Sequence, residues 1–474
     1  MKNKFYKTVS FNIFLIALVI FGFLIFQVVT LNLLPLSIFL IMVLGTMFVL
    51  ILFLLLCAKW KLLGNILLCL SIAIFSLGNI YVYKAHTLLK NVSDTNKNVV
   101  NFSVVALKER VEKPSSLGIL SIGNLEFQYK ALEQIEESYT IVEINSYEKF
   151  INDLYEENVD SILVASNSIE LIEEYYPSFI EDVKVIQTVK VEMESQKVSS
   201  DIDIVHEPFN IYISGKDAEG IDNLSRSDVN IIMSINPSTH QILMTGVPRD
   251  FYIPQTCQNN QQDKLTHTGM FGIACTVDSM ENFMQVPIDY YVEVNFNSLI
   301  NVVDSLGGIT VNSPLAFTAG GYEFVVGENE MDGQKALAFS RERYSFEDGD
   351  RERSRNQMRV LTAIINKAMS PSIIGHYSEL LDTLSTSFKT NLSKKEITSF
   401  IKSQLMNMQL WNIQQIQVNG YGDSVVSPAL GFEVYVMVPY EDTVQDAEQL
   451  IQKILDNEEI TQEDINNHNQ IVNK

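Results

Sequence analysis

Three uninterrupted apolar runs open the chain, and a quite different alternating pattern follows them. Phe11–Leu31, Leu34–Ala58 and Leu63–Tyr83 carry no charged residue. Each is at least about 20 residues long, and a helix rising about 1.5 Å per residue then crosses a hydrocarbon core of about 30 Å. A cleaved signal peptide explains one such run, not three. The pattern predicts three membrane-spanning helices.

Beyond Tyr83 the periodicity changes. Residues 84–103 are polar and read as a helical stalk or linker. From about 104 to 203 short β-prone runs alternate with amphipathic ones. Strands are expected at Leu117–Ile122, Tyr139–Ile144, Asp160–Ala165 and Val183–Val191. Helices are expected at Phe127–Glu137, Tyr147–Glu157 and Ile169–Tyr176. Such alternation predicts a small α/β domain with a largely parallel sheet. It holds no glycine-rich phosphate loop and no cysteine, which makes it an accessory domain. Ser199–Pro208 marks a boundary. A larger α/β domain runs from Phe209 to about residue 455, and the polar residues 456–474 read as a frayed tail.

Charge orients the chain. Lys2, Lys4 and Lys7 precede the first run, and Lys59 and Lys61 lie between the second and third. The positive-inside rule puts both groups in the cytoplasm and residue 84 onward outside. All 57 acidic residues lie from Asp94 onward, against 27 of the 34 basic ones, so the chain from Asp94 onward carries about −30. Bulk nucleic-acid binding is therefore not expected. A polyanion would need a local basic pocket.

The arginines of the larger domain supply one. Lys216 and Asp217 end a strand (NIYISG). Arg226 and Asp228 are two apart at the start of another and so share a strand face. Arg249 and Asp250 end a third (QILMTGVPRD). Some 90 residues on, Arg341 and Arg343 in LAFSRER share the same two-residue spacing and read as a strand face. Arg353 and Gln357 are four apart, on one helix face. Guanidinium forks bind phosphate oxygens bidentately and do not lose their charge. Carboxylates such as Asp217 and Asp228 are hard ligands suited to Mg²⁺ or Mn²⁺. Structural ion pairs at strand ends are the other reading of the same spacing.

At these residues a resemblance becomes specific. NIYISGKD (210–217), RSDVNIIMSINP (226–237), VPRDFYI (247–253), DKLTHTG (263–269), NVVDSLGGITV (301–311), DGQKALAFSRER (332–343) and GDRERSRNQ (349–357) occur in the order of the LytR-CpsA-Psr family of cell-wall phosphotransferases. With its three spans and accessory domain, the chain is most similar to the capsule-associated CpsA branch. The resemblance implies a central mixed sheet flanked by helices. It implies transfer of a glycopolymer, such as capsular polysaccharide, from a polyprenyl-pyrophosphate carrier to peptidoglycan, at the outer face of the cell membrane and alongside capsule assembly proteins.

Carried over residue by residue, Asp217 and Asp228 match the metal-holding positions, for Mg²⁺ or Mn²⁺. Arg226, Arg249, Arg341 and Arg343 match positions that grip the pyrophosphate. Arg353 and Gln357 match the last polar positions around it. Asp250, Lys264 and Asp350 also fall on motif positions, with Asp250 a candidate base. The stretch 350–357 departs from the common pattern, and helical spacing with Gln357 favours Arg353 over Arg355 as the inward arginine. The same site with water as acceptor would be a pyrophosphatase, and a non-catalytic regulator or sensor of capsule synthesis is a further alternative.

Cys57 and Cys69 fall in the spans. Cys257 and Cys275 lie outside, where a disulfide is permitted if their Cα atoms approach within about 7 Å. His267 reads as a structural histidine rather than a ligand.

Overall fold

The computed structural model describes residues 2–31, 36–94, 97–109, 113–121, 125–135, 138–194, 202–216, 225–370, 383, 388–407, 410–428 and 430–473. The chain divides into two compact units. One comprises residues 1–94 with 371–386 and 392–409, the other 95–370 with 387–391 and 410–474.

The first unit is built on α1 (Lys2–Leu31), α2 (Leu36–Lys59) and α3 (Lys61–Asp94). All three helices are long and apolar enough to cross a membrane, over Val9–Thr30, Phe39–Lys59 and Lys61–Lys84. The Phe21 and Phe75 rings meet at 4.9 Å between α1 and α3. Asn79 Nδ2 donates to the Ile20 carbonyl at 3.2 Å, the kind of polar contact that holds helices together where water is absent.

The second unit begins with a five-stranded sheet. Its strands are β1 (Lys97–Leu107), β2 (Ser116–Leu120), β3 (Thr140–Ile144), β4 (Ser161–Ala165) and β5 (Val183–Glu194), in the order β3-β2-β4-β1-β5. Helices α4 (Leu125–Glu133), α5 (Tyr147–Tyr155), α6 (Ile169–Tyr175) and the short α7 (Phe179–Asp182) connect them. The sheet is mixed rather than largely parallel. Strand β2 runs parallel to β3 and β4, but β1 pairs antiparallel with both β4 and β5. Strand β1 starts inside the stretch that composition assigns to a linker. Its Val100, Phe102 and Val104 are buried between Asn101 and Ser103, a period-2 pattern that polar neighbours mask.

The family-like part of this unit centres on a six-stranded mixed sheet. It contains β6 (Phe209–Lys216), β7 (Ser227–Asn236) and β8 (Gln241–Gly246); β9 (Tyr252–Gln255) and β10 (Gln261–Lys264) form a separate pair. After α8 (Leu265–Thr268) and α9 (Ile273–Met284) come β11 (Tyr290–Asn295), α10 (Phe296–Ser305) and β12 (Ile309–Ser313). Then follow β13 (Phe317–Ala319), β14 (Tyr322–Phe324), β15 (Gly327–Met331), α11 (Gly333–Arg341) and α12 (Asp350–Ala368). Strands β16 (Lys389–Thr390), β17 (Asn412–Gln417), β18 (Gly420–Val426) and β19 (Glu433–Pro439) come last. The order is β16-β11-β6-β7-β8-β17, with β11–β6 and β8–β17 parallel and the other pairings antiparallel.

Tyr212, Ile232, Leu243 and Ile416 of this sheet form the main core with Val277 and Met280 of α9 and with Ala447 and Ile451 of the helix Glu441–Leu455. On the other face Thr362 of α12 lies 3.9 Å from the Met244 sulfur.

Two further sequence-based expectations change here. LAFSRER is not a strand. Asp332 caps α11 by accepting from the Lys335 amide at 2.8 Å, and the helix-favouring Gln-Lys-Ala-Leu-Ala run carries it to Arg341. Only from Glu342 does the backbone become extended, so Arg341 and Arg343 share no strand face. Residues 456–473 are not frayed. A capping box at Thr461 and Asp464 starts a helix, Gln462–Val472, that buries Ile465, His468 and Val472. Cys257 and Cys275 are bridged, with Cα atoms 5.4 Å apart, inside the distance a disulfide requires.

The strands β18 and β19 pair as an antiparallel hairpin. Val434 and Val436 on one face cluster with Leu430 and Met270, and Tyr147 and Tyr175 of the accessory domain pack against them. The Tyr175 and Phe432 rings meet at 3.9 Å, and the Glu148 amide donates to the Leu430 carbonyl at 2.9 Å.

Candidate functional site

A cleft of about 270 Å³ opens where β7, β8, α12 and the β18–β19 hairpin meet. Asp228 reaches it from β7, and Arg249 and Asp250 from the turn after β8. Asp350, Arg353, Ser354 and Gln357 line it from the first turns of α12, at the i, i+3, i+4, i+7 spacing of one helix face. A helix N-terminus adds its own partial positive charge there.

The KLTHTG segment locks the first two groups together. The Thr266 amide donates to the Arg249 carbonyl at 2.8 Å, while its hydroxyl donates to Asp228 Oδ1 at 3.3 Å. Gly269 makes the close approach possible, since a Cβ there would lie 2.4 Å from the Ser225 carbonyl oxygen. His267 sits buried with Nδ1 3.2 Å from Asp263 Oδ1, a structural partner. Burial pushes the Asp263 carboxyl up, but His267, the Lys264 amide and the Ser427 hydroxyl outweigh it and hold it below the usual range.

Arg249 is the hub. Its Nη1 donates to Asp228 Oδ1 at 2.9 Å, and its Nε lies buried 3.7 Å from Asp250 Oδ2, with no hydrogen-bond partner among the described residues. Burial pulls this guanidinium down, but the carboxylates of Asp228 and Asp250 outweigh it and raise it above its ordinary value. Lys264 Nζ stands 3.3 Å from Asp250 Oδ1. Arg353 Nη2 and Arg343 Nη1 approach Asp350 Oδ1 at 3.3 and 3.7 Å. Arg355 turns elsewhere, donating to Asp348 at 2.9 Å and to the buried Glu352 at 2.8 Å.

The structure thus brings Asp228, Arg249, Asp250, Lys264, Arg343, Asp350, Arg353 and Gln357 together. Arg226 stands one residue before β7 and is not among the described residues that line the cleft. Arg341 lies away from it, its guanidinium stacked 4.3 Å from the centre of the Phe296 ring. Asp217 lies outside the described residues. Among the described residues no group of three or more His, Cys, Asp or Glu is placed to hold a metal. Both bonds to Asp228 fall on Oδ1, which leaves its second oxygen as one hard ligand.

Sequence reasoning missed the fourth wall. Tyr435 and Met437 of β19 border the cleft. The alternation in EVYVMVP shows that they share a face, but nothing in it says what that face meets.

The LytR_cpsA_psr family model matches residues 175–449, more than half of the chain. The chain belongs to the LytR-CpsA-Psr family. It is 40% identical over 202 residues to the polyisoprenyl-teichoic acid–peptidoglycan teichoic acid transferase TagU of Bacillus licheniformis. That match covers 42% of this chain and 65% of the relative, so the chain spans a little under two thirds of that protein's length. It is 31% identical over 254 residues to TagU of Halalkalibacterium halodurans, covering 52% of this chain and 80% of that one. The crystal structure of TagU from B. subtilis superposes with a TM-score of 0.43 at 33% identity, over 54% of this chain and all of that one.

Proposed function

We propose that this protein is a membrane-anchored phosphotransferase, its outer part extracytoplasmic, that moves a glycopolymer from a polyprenyl-pyrophosphate carrier to peptidoglycan. Capsular polysaccharide or a similar polymer is the cargo. The observation that carries this reading is the cleft itself: the guanidinium groups of Arg249 and Arg353, with Arg343 at its edge, gather around carboxylates in an otherwise acidic protein. The relatives named as teichoic acid transferases support the same chemistry.

The pyrophosphate would lie between Arg249 and Arg353 and take over their forks from Asp228 and Asp350. An acceptor hydroxyl on peptidoglycan attacks the phosphorus nearest the sugar. A new phosphodiester forms, the bridging P–O bond breaks, and polyprenyl monophosphate leaves. Negative charge grows on the phosphoryl and leaving oxygens, where fixed arginines stabilise it without reorganisation. Asp250, at the cleft wall, takes the hydroxyl proton. Asp228 and Asp217 would hold Mg²⁺ or Mn²⁺, which in this class completes its shell with substrate oxygens and water and neutralises the pyrophosphate.

The test uses the full chain in nanodiscs with a polyprenyl-pyrophosphate-linked saccharide, Mg²⁺ and peptidoglycan oligomers. Polyprenyl monophosphate and a sugar phosphodiester should appear together with wild type and not with Arg249→Ala. Their absence from the wild-type reaction overturns the proposal.

A further inference from the structure

The β18–β19 hairpin presents two faces: Val434 and Val436 are buried on one, while the other packs Met437 against the main core and leaves Tyr435 half exposed. Residues directly opposite each other in an antiparallel pair share a face, so Tyr435 and Met437 stand with Ser424 and Gly422 on the cleft side. Tyr435 reaches diagonally across to the neighbouring strand. A Cβ on Gly422 would lie 2.8 Å from ring atom Cε2 and 3.1 Å from the hydroxyl, so the ring rests against a position that only glycine leaves open. The side chain is still 51% exposed, inside a cleft otherwise dominated by charge.

A half-open aromatic ring braced on backbone, beside a phosphate-binding cluster, has a specific chemical use. The C–H face of a pyranose carries partial positive charge and stacks on the electron-rich face of an aromatic ring, as other weakly positive edges do. We propose that Tyr435 is a saccharide platform, stacking on the first sugar of the polymer, the one joined to the pyrophosphate held by Arg249 and Arg353. This rests on the transferase reading and adds how the cleft selects a sugar-bearing carrier. The group that donates ring area is Tyr435, and the carboxylate of Asp350 on the same cleft is an acceptor for a sugar hydroxyl. Burial and the carboxylates of Asp250 and Asp350 push the Tyr435 phenol above its ordinary value, so at neutral pH it is a neutral donor and not a base. Tyr435 is therefore a positioning and specificity residue.

The experiment compares binding of two probes to the full chain in nanodiscs: undecaprenyl pyrophosphate, and the same lipid carrying a single N-acetylglucosamine. Wild type should prefer the sugar-bearing probe. Tyr435→Ala should lower that preference about threefold to tenfold, the size of one aromatic stacking contact. Tyr435→Phe and Tyr435→Trp should retain it, because they keep the ring. An unchanged preference in Tyr435→Ala, or a loss in Tyr435→Phe as large as in Tyr435→Ala, overturns the platform. So does a wild type that binds both probes equally, while leaving the transferase reading standing. Wild type that binds neither probe sinks both. Gly422→Ala offers a second route: displacing the ring with Tyr435 present should lower the preference as Tyr435→Ala does, and an unchanged preference there counts against the platform.

Discussion

Arg249 donates to Asp228 at 2.9 Å across the ends of two adjacent strands, and Thr266 fastens both. The pair is therefore set before any substrate arrives. Arg249→Ala should lower transfer by about 10²–10³, the usual effect of deleting one transition-state donor. Arg249→Lys should recover little, because a point charge does not replace the fork. Single-turnover rates on the sugar-bearing lipid measure both. Transfer within a few fold of wild type in Arg249→Ala would remove this residue from the machinery.

Arg353 and Arg355 are two residues apart on α12 and should behave oppositely. Arg353 faces the cleft, so Arg353→Ala should abolish turnover with an unchanged melting temperature. Arg355 neutralises buried Glu352 with Arg359, so Arg355→Ala should cost about 1–3 kcal/mol of stability while the folded fraction stays active. Thermal unfolding run beside the activity assay separates the two.

Glu293 stands between two buried ammonium groups. Lys216 Nζ is 2.6 Å from Oε1 and Lys389 Nζ 3.9 Å from Oε2, and all three side chains are at most 4% exposed. Glu293→Gln removes the carboxylate that both approach and should cost about 3–5 kcal/mol. The double variant Glu293→Gln with Lys216→Met should recover part of that loss. Denaturant midpoints of the unit that starts at residue 95 read the difference.

The Cys257–Cys275 bridge closes a loop of 18 residues in sequence separation. Replacing both cysteines by serine should cost about 3 kcal/mol, the loop-closure entropy of a segment of that size. Melting with and without reductant measures it. Wild type should shift with reductant and the double variant should not.

Asp464 caps the last helix and pairs with Lys453 at 2.7 Å. The Lys453 ammonium, then the Thr461 amide and hydroxyl, lower its carboxyl to about 2. A depressed folded value gives stability that is fully present above the unfolded carboxylate value, about 3.9, and lost as pH falls toward 2. Asp464→Asn should flatten the acid limb of the stability curve across that window and leave its slope near neutrality unchanged. An acid limb as steep as wild type in that variant would contradict the assignment.

Much of the fold is written in local periodicity. Alternation in NIYISG and QILMTG locates β6 and β8, and four-residue spacing places Arg353 and Gln357 on one helix face. Legibility fails where two local signals compete. The arginines of LAFSRER alternate like a strand, yet Asp332 caps the segment as a helix, and Arg341 ends up stacked on Phe296. It fails again where polar residues interrupt a pattern that tertiary pairing completes, as in β1. It fails for Tyr435 and Met437 because pocket walls join residues far apart in the chain. No local pattern shows that β19 faces α12.

The hairpin that carries Tyr435 has consequences for where this protein can be cut. Its other face is covered by Tyr147 and Tyr175, which precede the first of the family-like motifs, at Asn210. A fragment beginning at Phe209 would leave Leu430, Phe432 and Val434 facing water and would favour aggregation. The smallest independently folding outer fragment should start near residue 95. The border that motif similarity draws on this chain is not a border at which it can be divided.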